Sequence, residues 1–143
     1  MLSSWALSRI QSEIEVFRDK KRKKAEFLND SSVNTMTPNY ALAKKLGVPS
    51  GEEMYICADT SLSGNGGCGF IITNRGIYGK KWLGISKHFF SFERLARASE
   101  IINSMGDIEA DGELVAACDN SYRSILSELI DNIIKITRQD LGM

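Results

Sequence analysis

A chain of 143 residues, 43% of them hydrophobic, is long enough for one globular unit with a buried core. Eighteen Lys and Arg against eighteen Asp and Glu leave a formal net charge of +0, so no global field recruits nucleic acid or an acidic membrane, and only a local patch can do so. Three cysteines (Cys57, Cys68, Cys118) with no C-x-x-C pair argue for reduced thiols in a cytoplasm, and a single histidine, His88, argues against a His/Cys zinc site.

The Met1–Ala6 start carries no basic segment followed by a long apolar run, so no signal peptide is expected. No stretch approaches the roughly 20 apolar residues of a membrane span. From about residue 3 to 30 the apolar positions Leu7, Ile10, Ile14 and Phe17, with Phe27 and Leu28 later, follow the spacing of one helical face. Ser3 or Ser4 is the expected cap. The run Lys20-Lys21-Arg22-Lys23-Lys24 reads as solvated on every side. After the turn formers of "NDSSVNTMTPN", a short second helix is expected, with Thr37 as cap, Pro38 at its first position, Tyr40, Leu42 and Leu46 inward and Gly47 as its stop.

Residues 52 to 118 read as strands. "EEMYICADT" and "GFIITN" are followed by a turn at Asn74-Arg75-Gly76, with Gly76 expected to supply a positive φ. "IYGKKWLG" comes next. In "ISKHFFSF", Ile85, Lys87, Phe89 and Ser91 alternate with Ser86, His88, Phe90 and Phe92. "ARASEIIN", "GDIEADG" and "ELVAACD" complete an antiparallel meander that curls on itself. From Asn120 to about Asp140 a wide apolar stripe from Tyr122 to Ile136 predicts an amphipathic helix capped by Asp119 or Asn120 and lying on the open end or face of the sheet.

"GNGGCG", Gly64 to Gly69, has the G-x-G-x-x-G spacing of a phosphate cradle. A dinucleotide fingerprint needs a helix after the glycines and an acidic residue about 20 positions on. "FIITNRG" follows instead. A kinase-type loop would suit Lys80 or Lys81, but the chain is too short and has no H-R-D or D-F-G segment. The glycines therefore read as a hairpin loop, and no cofactor is expected.

The stretch "ADTSLSGNGGCGFIITNRGIYGKKWLG", within about residues 52–136, resembles the bacterial pleckstrin-homology-like domains. In these a loop "SL-G-G" leads to "GF-(I/L)-T-(N/D)-(K/R)-GIY". Asp59, Ser61, Leu62, Gly64, Gly69, Phe70, Thr73, Arg75, Gly76, Ile77 and Tyr78 carry the likeness. The resemblance implies a bent antiparallel sheet forming a partial barrel with a C-terminal amphipathic helix, and a non-enzymatic binding module. The expected fold class is α+β, with residues 1–50 as an N-terminal helical extension of a 51–143 β domain. Lipid-headgroup binding in eukaryotic relatives uses basic residues on the first hairpin loop, and "SLSGNGG" has none.

His88 reads as a structural histidine; no nucleophile elbow or cysteine context supports catalysis. Asp107, Glu109, Asp111 and Glu113 alternate as a cation site would, but they straddle a turn and read as a solvated acidic rim. Arg75, Lys80, Lys81, Trp82 and Lys87 combine cations with an indole, the mixture found at protein hot spots. Lys20, Lys21, Arg22, Lys23 and Lys24 are the candidates for an anionic surface. The function expected is a non-enzymatic, cytoplasmic protein-binding domain, such as an inhibitor or an immunity protein neutralising a toxin. The alternative is a peripheral module for anionic membranes.

Overall fold

Ser3 starts the first helix: its Oγ accepts the Ala6 N–H at 3.2 Å, satisfying one of the free amides of a helix N-terminus. In the computed structural model, which describes residues 1–29, 40–59, 69–80, 87–104, 107–118 and 120–143, this helix, α1, runs Ser4–Leu28. It is followed by α2 (Tyr40–Leu46), β1 (Met54–Asp59), β2 (Gly69–Thr73), β3 (Gly76–Lys80), β4 (Lys87–Ser91), α3 (Phe92–Ala96), β5 (Ile101–Ser104), β6 (Asp107–Ala110), β7 (Glu113–Ala117), a single 3₁₀ turn (Asn120–Tyr122) and α4 (Arg123–Leu141). The fold is mixed α+β. Its strands form two antiparallel sheets, ordered β1-β2-β3-β4 and β5-β6-β7, rather than one sheet closing into a barrel.

The two-residue side-chain period of a strand gives the four-stranded sheet two faces. Ile56, Ala58, Phe70, Ile72, Ile77 and Phe90 point inward, into the main core. There they meet Ile108, Val115 and Ala116 of the second sheet, Ile10, Ile14 and Phe17 of α1, and Leu126, Ile130 and Ile133 of α4. Cys57, Ile71 and Tyr78 point outward and form a smaller core with Leu42, Ala43 and Leu46 of α2. Residues 1–50 thus supply one wall to each core. Burying each Ile or Phe stabilises by about 1.5–3 kcal/mol, so these walls carry much of the fold.

Helix α4 lies against α1 and α3 as well as closing the core over the sheets. Asn132 Nδ2 donates to Glu13 Oε2 at 3.0 Å and Lys20 pairs with Glu128 at 2.8 Å, tying α1 to α4. Arg138 Nε donates to the Ala96 carbonyl at 2.8 Å, at the end of α3.

Both outer strands of the four-stranded sheet meet a guanidinium. Arg18 of α1 donates to the Tyr55 carbonyl on β1. Arg94 of α3 donates to the Phe89 carbonyl on β4 at 3.3 Å, lies 4.2 Å over the Phe90 ring and pairs with Glu113 of β7.

Several expectations change. Tyr40 is 76% exposed rather than inward. "SFERLA" makes the short helix α3, because Ser91 Oγ accepts the Arg94 N–H at 3.1 Å and caps it before β5 can start. Tyr122, which makes no side-chain capping bond, is the cap of α4, since the 3₁₀ turn displaces the start by three residues. Gly76 does not have a positive φ. It is required for space: a Cβ there would stand 2.1 Å from the Phe90 carbonyl oxygen. Thr37, Pro38 and most of the glycine loop lie outside the described residues; Gly69 opens β2.

Candidate functional site

The outward face of β3 and β4 is only partly covered by α2. Antiparallel register sets Tyr78 opposite Phe89, Gly76 opposite Ser91 and Lys80 opposite Lys87. The Tyr78 and Phe89 rings are stacked with centroids 4.5 Å apart. Tyr78 is buried, but Phe89 keeps 39% of its surface open. Beneath them, Glu52 fixes the stack. Tyr78 Oη donates to its carboxylate (2.8 and 3.0 Å) and Thr73 Oγ1 donates to Oε1 at 2.8 Å. Thr73 Oγ1 also accepts the Arg75 N–H at 3.0 Å, and Asn74 Oδ1 accepts the Glu53 N–H at 3.0 Å, which holds the β2–β3 turn.

The turn presents Arg75 beside Phe89, on the rim of a hollow of about 320 Å³ that Glu52, Asn74, Ser91 and Glu93 also line. Arg75 is exposed, and its guanidinium makes no hydrogen bond or ion pair among the described residues. An aromatic ring held rigid by the layer below, next to an unengaged cation, is a surface preorganised for contact.

Tyr78 also gives the site a pH signature. Burial, then the hydrogen bond from Tyr78 to Glu52 and the Glu52 charge, push its hydroxyl well above the ordinary tyrosine range. Since the folded value is raised above the unfolded one, near about 10, the stabilisation is complete below that pH and is lost as pH rises beyond it. Tyr78→Phe is expected to flatten the alkaline limb of the stability–pH curve. At neutral pH it should cost about 1–2 kcal/mol, as Glu52 loses a hydroxyl donor. Urea unfolding at a series of pH values checks both.

No family model, no curated protein and no solved structure matches this chain. The likeness to pleckstrin-homology-like domains therefore rests on its own residues. Of these, Gly69 to Tyr78 build β2, the turn and β3, while Ser61, Leu62 and Gly64 lie outside the described residues.

Of the five residues expected to meet a partner, Arg75, Lys80 and Lys87 lie on or beside this face; Lys81 and Trp82 lie outside the described residues. The basic run of α1 departs from its reading. Lys21 is 7% exposed, with Nζ 5.1 Å over the Tyr122 ring. Lys20 is paired with Glu128, and both Arg22 and Lys23 pair with Asp19, whose carboxyl the Lys23 hydrogen bond holds below its usual range. Much of the run is engaged within the molecule, because its helix turns one lysine inward and sets acidic residues at reach of Lys20, Arg22 and Lys23.

Asp111 accepts the Ser99 and Glu100 N–H groups at 2.9–3.2 Å, and Glu113 is paired with Arg94. Their positions are thus accounted for by the loop before β5 and by α3. Among the described residues no group of three or more His, Cys, Asp or Glu is placed to hold a metal ion. His88 faces inward opposite Gly79. Neither Phe89 nor Glu52 was among the residues expected to meet a partner. The alternation of Lys87, Phe89 and Ser91 was the signal for Phe89, since it sets that ring among polar neighbours; Glu52 precedes β1 and left none.

Proposed function

We propose that this chain is a non-enzymatic protein-binding module that uses the outward face of the β3–β4 hairpin, and that it acts by blocking its partner. The observation that carries the reading is Phe89, open to solvent on a buried Tyr78 and flanked by the unengaged Arg75. Rigid aromatics and arginines are the residues that dominate protein interfaces. An immunity protein that neutralises a toxin is one version. The Cys57 and Cys118 thiols suit a reducing, cytoplasmic setting. The anionic-membrane alternative has less support, because Lys20, Arg22 and Lys23 are ion-paired and Lys21 is buried. Among the described residues no helix is long and apolar enough to cross a membrane.

Affinity capture from lysate of the organism that encodes the chain tests the reading, with the captured protein's activity measured with and without this chain. Phe89→Ala and Arg75→Ala are each expected to weaken capture by about tenfold or more, since truncating a hot-spot residue costs about 2 kcal/mol. The thermal midpoint should stay within a few degrees. Capture unchanged in both variants, or a partner whose activity is unaffected, counts against it.

A further inference from the structure

Lys80 and Lys87 stand directly opposite each other where β3 ends and β4 begins. Like charges in such a cross-strand pair repel, and neither lysine has an ion pair or hydrogen bond among the described residues. The Lys87 stem runs along Gly47, its Nζ 3.2 Å from where a Gly47 Cβ would stand. Gly47 follows α2, whose last turn carries the exposed Lys44 and Lys45. Lys44 is likewise unpaired among the described residues. The end of α2 thus meets Lys87 of the hairpin, and the exposed Lys44 and Lys45 belong to that same last turn. The carbonyls at a helix C-terminus favour a nearby cation, but they do not account for Lys80 facing Lys87.

We infer that Lys44, Lys80 and Lys87 form the docking point for an acidic segment of the partner protein, consecutive carboxylates settling between ammonium groups that otherwise repel. This rests on the protein-binding reading above and names the partner's chemistry. A protein is favoured over the other polyanions. Phe89 lies two residues along β4 on the same face, so the cluster adjoins an aromatic anchor. Among the described residues the cations span one helix end and one hairpin, too short a track to follow a nucleic-acid backbone.

The test is a titration of the isotope-labelled full chain with a short oligo-glutamate peptide, read by backbone amide shifts. Saturable shifts centred on Lys44–Gly47, Lys80 and Lys87 are expected, weakened at least about tenfold by Lys80→Glu/Lys87→Glu and by raised salt, which screens exposed charge pairs. Lys20→Glu/Lys23→Glu should leave them unchanged. If the Lys80→Glu/Lys87→Glu protein does not fold, Lys80→Gln/Lys87→Gln removes the charges more gently. Shifts scattered over the surface, centred on α1, or indifferent to the hairpin variants overturn the inference. So does tighter engagement of the same lysines by phosphatidylserine vesicles or single-stranded RNA. A captured partner retained equally by the Lys80→Glu/Lys87→Glu variant overturns the inference while leaving the binding-module reading intact. Peptide binding at the cluster with no partner captured supports the docking chemistry and counts against that reading.

Discussion

Gly79→Ala is expected to destabilise the fold by about 3 kcal/mol or more and to lower the thermal midpoint by roughly 10 °C. A Cβ at position 79 would stand 2.4 Å from the Val115 carbonyl oxygen, 3.0 Å from its carbon and 3.3 Å from Ala116 Cα. All three are backbone atoms of β7, so no side chain can rotate aside. β3 would have to move away from β7, and with it Phe90, Ile77 and Phe70 from the core between the sheets. Differential scanning calorimetry of the variant reads the effect. A midpoint within a few degrees of the parent would show that the two sheets are not held at this spacing.

Phe70→Ala should cost about 3–5 kcal/mol, the range for removing a fully buried aromatic ring. Phe70 is 1% exposed and its ring meets Phe17 of α1 edge-on, centroids 6.2 Å apart at 66°. The deletion therefore empties the junction of β2 and α1. The same change at Phe27, 87% exposed at the end of α1, should alter stability by less than about 0.5 kcal/mol. Urea denaturation of the pair separates the loss of packing from the loss of a phenyl group as such. Equal effects at the two positions would mean that α1 does not dock where Phe17 places it.

The helices at both ends were legible because their apolar residues recur every three or four positions: Ile10, Ile14 and Phe17 are buried in α1, and Leu126, Leu129, Ile130 and Ile133 in α4. Strand order was legible from turn residues, down to Asp111-Gly112 with both φ positive between β6 and β7. Three things were not. Ser91 ends a strand and caps a helix at once, so "SFERLARASE" hid α3 between two strand-like runs. The division of the strands into two sheets depends on which chains approach closely, as β3 and β7 do at Gly79, and such a contact leaves no period in the sequence. The site itself mixes a turn residue, Arg75, with a strand residue, Phe89, and a residue before β1, Glu52, whose meeting only the folded register decides.

The guanidinium groups of Arg18 and Arg94 sit where a further strand would otherwise join. A guanidinium keeps its charge at any pH a cell presents. Both outer strands of this sheet thus keep a charged donor on a carbonyl whatever the acidity. Extending the four-stranded sheet by the backbone of another chain would first require pulling an arginine off its carbonyl.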